Sequence, residues 1–179
     1  MKKYILGIIV IIAVIFVSGC ITDSDENTDD FNGTKTLSQN GISITYPGNW
    51  VVAEAHSENS IIAVADPNSK DTNDLGSINV NIERKNLSTP LNSFFTQTYK
   101  KLFSNSDYQL ISQGNTSIGE FTALECLYLT NDNGNIKKHR AIWIENNKEV
   151  YVILCTAPQN EFSNQEKIFD FIVSSFRTV

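Results

Sequence analysis

Two turn signals, Asn133-Gly134 and Asn146-Asn147, divide the stretch after Gly119 into three runs rich in β-branched and aromatic residues: Phe121–Thr130, Ile136–Glu145 and Glu149–Thr156. Asn-Gly between such runs is a strong hairpin signal, so an antiparallel meander is expected here. Two-residue turns set its register. Cys126 falls opposite Ala141, and Ala141 opposite Val152. One face then carries Leu124, Cys126, Tyr128, His139, Ala141, Trp143, Val150, Val152 and Leu154. The other carries Leu127, Leu129, Ile142, Ile144, Tyr151, Ile153 and Cys155, with Glu125 and Arg140 among them. Both faces are largely apolar, and each must be covered. Cys126 and Cys155 point to opposite faces, which argues against a disulfide unless a bulge shifts the middle strand.

Two amphipathic helices are available as covers. Thr89 is expected to cap the first, with Pro90 at its first position. Its apolar stripe is Leu91, Phe94, Phe95, Leu102 and Phe103, with Lys100 and Lys101 near its C-terminal end, where the helix dipole favours cations. Ser163 with Glu166 forms a capping box for the second, which presents Ile168, Phe169, Ile172, Val173 and Phe176 on one side. Upstream, Ile42, Ile44 and Tyr46 alternate with polar residues, and Pro47-Gly48-Asn49 supplies a turn. Trp50–Ala55 and Ser60–Ala65 read as further strands, and Asp66–Gly76 as a polar loop. Ile78, Val80 and Ile82 alternate with Asn79, Asn81 and Glu83, one face buried and one wet. A strand around Tyr108–Ser112 leads through Gly114 and Gly119 into the meander. The fold class is α+β.

The N-terminus reads as an export signal. Lys2 and Lys3 precede an apolar run from Ile5 to Val17, and Val17-Ser18-Gly19-Cys20 follows. An apolar core, small residues and then cysteine resemble the lipobox of secreted lipoproteins: small side chains admit a peptidase, and the thiol accepts the lipid. The run is short for a bilayer core, which takes roughly 20 helical residues. Residues 1–19 are therefore expected to be a cleaved signal peptide and Cys20 the lipid attachment site. An uncleaved anchor over Tyr4–Ile21 is the alternative. Either places the body on the extracytoplasmic side of the cell membrane.

Residues 20–37 are expected to be an acidic tether, since Asp23, Asp25, Glu26, Asp29 and Asp30 leave almost nothing apolar to order it. Asp23, Asp25 and Asn27 match the first ligands of an EF-hand. Thr28, however, stands where the turn needs glycine, and Thr34 where a glutamate should close the site, so a solvated spacer is expected. The folded domain then runs over residues 38–179.

Gly41-Ile42-Ser43-Ile44-Thr45-Tyr46-Pro47-Gly48-Asn49-Trp50 resembles the opening strand and "YP-x-x-W" turn of PsbP-like domains. The helix after Leu87, the Gly114…Ile118-Gly119 lead-in, the strand-rich second half and the final helix ending Ser175-Phe176 extend the resemblance over about residues 38–178. It implies an α/β/α sandwich, a central antiparallel sheet flanked by helices. Plant members are extrinsic subunits of photosystem II, and a nuclear-import factor of this fold binds the GTPase Ran. Many microbial lipoproteins of this type have no assigned role. The group suggests a small domain that docks on something larger.

The chain carries 14 Lys+Arg against 20 Asp+Glu, a net charge of −6, which argues against a nucleic-acid partner. No Gly-x-Ser-x-Gly, His-Glu-x-x-His, Cys-x-x-Cys or phosphate-cradling loop occurs. His139 sits mid-strand beside Tyr128 and Leu154 as a packed or hydrogen-bonded residue, and His56 at a strand end near Glu54 and Glu58. Cys126 and Cys155 read as small buried hydrophobes. The expectation is a non-catalytic protein with no cofactor and no metal site. Its contacts would be the membrane, through the lipid, and a protein partner, with the loop 66–76 or the edge strands as the docking patch. The alternative is a small-ligand or calcium receptor, for which Asp66, Asn68, Asp71, Asn73 and Asp74 offer oxygens. Asn32, Asn86 and Asn115 begin N-glycosylation sequons.

Overall fold

The computed structural model describes residues 31, 33–54, 57–70 and 76–179. Cys20, the acidic residues 23–30, Asn32, His56, and Asp71, Asn73 and Asp74 lie outside them. The chain folds as α+β with antiparallel sheets and two helices: β1 (Thr34–Gln39), β2 (Ile42–Pro47), β3 (Val51–Val52), β4 (Ser60–Ala65), β5 (Asn79–Asn86), α1 (Leu91–Leu102), β6 (Tyr108–Ile118), β7 (Phe121–Asp132), β8 (Asn135–Asn146), β9 (Glu149–Pro158), α2 (Phe162–Ser174) and β10 (Arg177–Thr178). A seven-stranded sheet has the order β3-β4-β5-β9-β8-β7-β6, and a three-stranded sheet the order β1-β2-β10.

The meander forms as its turns demand. Asn133 and Gly134 take φ of 52° and 90°, the left-handed pair of a tight hairpin, and Cys126 lies opposite Ala141. The second hairpin differs by one residue. Its turn is Asn147-Lys148, with φ of 52° and 67°, so Ala141 lies opposite Leu154 rather than Val152. Moving a two-residue turn by one position shifts the register by two, so each side chain keeps its face. Trp143, Cys126, Leu124, Tyr128, Val150 and Val152 form one cluster with Phe95 and Tyr99 of α1. Ile142, Ile144, Tyr151, Ile153 and Cys155 form another with Phe162, Phe169, Ile172 and Val173 of α2. Cys126 and Cys155 are buried free thiols, one in each cluster.

Both expected caps are displaced. Pro90, not Thr89, occupies the cap position of α1, and no side chain caps the helix. Its ψ of 141° is extended, and its carbonyl accepts the first helical bonds, from Ser93 N at 2.9 Å and Phe94 N at 3.1 Å. Thr89, before a proline, is pushed toward extended backbone and is one residue too early. In α2, Glu161 takes the cap position, and Ser163 lies inside the first turn. The turn from Pro158 O to Glu161 N, 3.0 Å, runs straight into the helix, while Phe162 is drawn into the core against Phe169. Glu166 is used elsewhere, in an ion pair with Lys138 at 3.7 Å.

Three strands also depart from expectation. Among the described residues of Trp50–Ala55 the strand is Val51–Val52, after a turn closed by Trp50 N on Pro47 O at 3.0 Å. The strand from Tyr108 does not stop at Ser112. It runs to Ile118, with a bulge between Leu110 and Ser112. Regular structure also begins before residue 38, because β1 pairs along all of β2 and Leu37 packs against the core. Hydroxyl pairs cross this ladder, Thr36 with Thr45 at 3.2 Å and Ser38 with Ser43 at 2.8 Å.

Candidate functional site

Strand pairing aligns two rows of side chains on the Trp143 face. Ala63, Asn81, Leu154, Ala141 and Cys126 lie side by side across β4, β5, β9, β8 and β7. Next to them run Val51, Ala65, Asn79, Thr156, His139 and Tyr128. α1 packs over the β7–β9 end of these rows, where Phe94, Phe95 and Tyr99 surround the Trp143 ring at centroid distances of 5.7, 5.6 and 5.8 Å. The β3–β5 end is left as a cleft of about 710 Å³, lined by Val51, Ala63, Ala65, Asn79, Asn81 and Leu154 with the start of the 66–76 loop.

Small side chains on β4 make the floor, and amides on β5 supply its polarity. Asn79 Nδ2 donates to Gly76 O at 2.7 Å, and the Ser60 hydroxyl donates to Asn81 Oδ1. Each amide is thus held by one end. Gly76 is needed for the loop to return over β4, since a Cβ there would come within 2.7 Å of Ala65 Cβ. The described residues of the loop are bonded among themselves: Asp66 Oδ1 accepts Asn68 N at 2.9 Å, and Ser69 O accepts Ser77 N at 2.8 Å. Asp66 is therefore committed to a turn. Among the described residues no cluster of three His, Cys, Asp or Glu side chains is placed to hold a metal ion.

His139 sits where the cleft row passes beneath α1. One ring nitrogen, Nε2, pairs with Thr130 Oγ1 at 2.9 Å and the other, Nδ1, with Thr156 Oγ1 at 2.9 Å, while Tyr128 stacks on the ring at 4.8 Å. Burial, reinforced by nearby Lys137, pushes its pKa down to about 4. Both nitrogens are engaged in bonds within the sheet, and the ring acts as a neutral link between strands. Cys126 and Cys155 have their thiols pushed up to about 12 by burial, which leaves them unreactive at neutral pH.

The sequence marks Asn79 and Asn81 as a wet strand face and the 66–76 loop as a docking region, and the structure brings the two together. Ala63 and Ala65 carry no signal as cleft residues, because nothing local tells a small floor residue from a core alanine. Asn86 and Asn115, two of the sequon asparagines, are exposed.

The PsbP-like protein family model matches residues 4–178. No curated protein sequence matches the chain. Among solved structures, the fold is similar to cyanobacterial PsbP from Synechocystis, with 14% identity over 82% of this chain and 92% of that one, TM-score 0.61. It is similar to LpqN of Mycobacterium tuberculosis, a protein involved in cell envelope biogenesis, with 14% identity over 82% and 91%, TM-score 0.56. It is also similar to the Ran-binding protein Mog1p of Saccharomyces cerevisiae, with 11% identity over 82% and 96%, TM-score 0.55. With the family match running from residue 4 to residue 178, the chain belongs to the PsbP-like family.

Proposed function

We propose that this chain is a non-catalytic binding module, tied to the outer side of its cell membrane by a lipid on Cys20, which docks a protein partner in the cleft beside β4 and β5. The observation that carries the reading is the cleft itself: a largely apolar sheet surface with held amides, edged by Glu54, Lys70, Glu83 and Lys137 and not lined by α1. The separation of the α1 and α2 clusters onto alternating residues of the meander supports an α/β/α sandwich, in which a single helix leaves such a surface unroofed. Two proteins of similar fold carry names that speak of Ran binding and of envelope biogenesis, which fits a docking role.

The test is crosslinking and affinity purification of the tagged full-length chain from its own membranes. A stoichiometric partner is expected, lost on Val51→Arg combined with Asn81→Arg while the melting temperature is kept. Val51 is 44% exposed and Asn81 lies at the cleft surface, so neither change opens the core. Unchanged recovery would sink the reading. Mass spectrometry of the N-terminal peptide tests the anchor separately: a diacylglyceryl group on Cys20 supports it, and an intact Met1 refutes it. The cleft volume also lies within the range of small-molecule sites, which favours a ligand receptor as the second reading. A rise in melting temperature with millimolar calcium or an envelope metabolite, abolished by the same double variant, would select it.

A further inference from the structure

β6 is an outer strand of the seven-stranded sheet, paired along one side with β7. It is 11 residues long and, from Tyr108 to Ile118, carries no charged residue and no proline. Edge strands of this length are ordinarily guarded by lysine, proline or a bulge. Here the only such device is the bulge beside Ile111, which leaves Ser112–Ser117 straight beyond it. The opposite edge, β3, is two residues long. In a chain of net charge −6, β6 is a neutral line of backbone groups that no other described strand pairs on its outer side, and it includes Leu110 and Ile111 at 42% and 48% exposure.

We propose that β6 is a homodimerisation edge, on which two copies of this chain pair antiparallel about a two-fold axis through Gly114. The side-chain sequence selects this occupant and this register. A two-fold axis perpendicular to the sheet keeps each face on its own side, so beyond the bulge every paired residue meets one of its own parity, and the central residue meets itself. With Gly114 at the centre, Gln113 faces Asn115 and Ser112 faces Thr116, each twice. Amide then meets amide and hydroxyl meets hydroxyl, with no charge opposed. The protein already uses hydroxyl pairs of this kind between β1 and β2. A Cβ at Gly114 meets nothing within 4 Å, so a side chain can be introduced at the central position. The bulge between Leu110 and Ser112 ends the regular ladder, so the self-pairing runs over Ser112–Thr116 in each copy. Pairing closes the edge in both copies at once, whereas a single added peptide would leave a new edge.

The test uses full-length chain in its own membranes, with mild oxidation and the unsubstituted chain as the control for Cys20. Self-facing residues of an antiparallel pair have Cα atoms about 4.5–5.5 Å apart, within disulfide reach. Gly114→Cys should therefore give a covalent homodimer as the main product. Ser112→Cys alone should not, because its copy is four residues away, about 13 Å. Ser112→Cys mixed with Thr116→Cys should crosslink. Ser112→Lys with Thr116→Lys sets lysine against lysine twice and should weaken association about tenfold or more in sedimentation, with an unchanged melting temperature. Equal crosslinking at Gly114 and Ser112, or a crosslinked product containing a different protein, would overturn the proposal. This outcome is independent of the cleft, because the variants lie on the other edge of the sheet.

Discussion

The imidazole of His139 has a threonine hydroxyl on each nitrogen and a tyrosine ring on its face, and burial holds its pKa near 4 against an ordinary 6.5. Between those two values the unfolded chain binds a proton that the folded chain refuses. Stability is then fully present above about pH 6.5 and is lost as the pH falls toward 4, by about 3 kcal/mol from this residue. Urea midpoints at pH 7 and pH 4.5 should therefore fall further apart for the parent chain than for His139→Gln, which keeps a polar side chain without the titration. Parallel profiles would show that the ring is not the proton site. The sequence locates His139 as a packed strand residue with Tyr128 beside it. It sets Leu154 opposite, because local preference favours the second turn one residue early. The true register brings Thr156 there, and with it the hydroxyl that fixes the ring.

That turn shows where element-level reading fails. Asn146-Asn147 is the more favourable pair for left-handed backbone, yet the chain turns at Asn147-Lys148 and puts a lysine at a φ of 67°. The neighbouring strands decide it. With this turn Glu149 faces both Asn146 and Asn86, and Leu87 N reaches Lys148 O at 2.8 Å, so β5, β8 and β9 end together. Tertiary pairing overrides a local preference of about 1 kcal/mol. Lys148→Gly should relieve that strain and raise stability by about 0.5–1 kcal/mol, read as a higher denaturation midpoint with the same slope. A loss of stability would mean that the lysine side chain contributes more than its backbone costs. The first hairpin needs no such correction, because Asn133-Gly134 satisfies the local and the tertiary demand together.

At the scale of the whole molecule, the two apolar faces of the meander are legible in the sequence, and so is the need for two covers. The cleft is not. α1 has 12 residues, so it is about 18 Å long and about 10 Å across, while seven strands about 4.8 Å apart span roughly 29 Å. One helix cannot roof that width, but the strand order that places β3, β4 and β5 beyond the reach of α1 appears only once the chain is folded. The point where the chain enters the body also emerges there. Phe31 stacks on Phe171 of α2 at 4.6 Å, and Gly33 O accepts Gly48 N at 2.8 Å. The entry is thus on the α2 side, whereas the cleft belongs to the Trp143 face. Ten residues lie between Cys20 and Phe31, a contour of at most about 40 Å. If Cys20 carries the lipid, the α2 side is held nearer the bilayer and the cleft looks outward, toward a partner rather than toward headgroups. A donor dye on Ser174→Cys, exposed at the end of α2, should then transfer more energy to acceptor-labelled lipid in proteoliposomes than the same dye on Val51→Cys at the cleft. Equal or reversed transfer would mean that the body rotates freely on its tether or lies cleft-down, and the outward-docking geometry would fail with it.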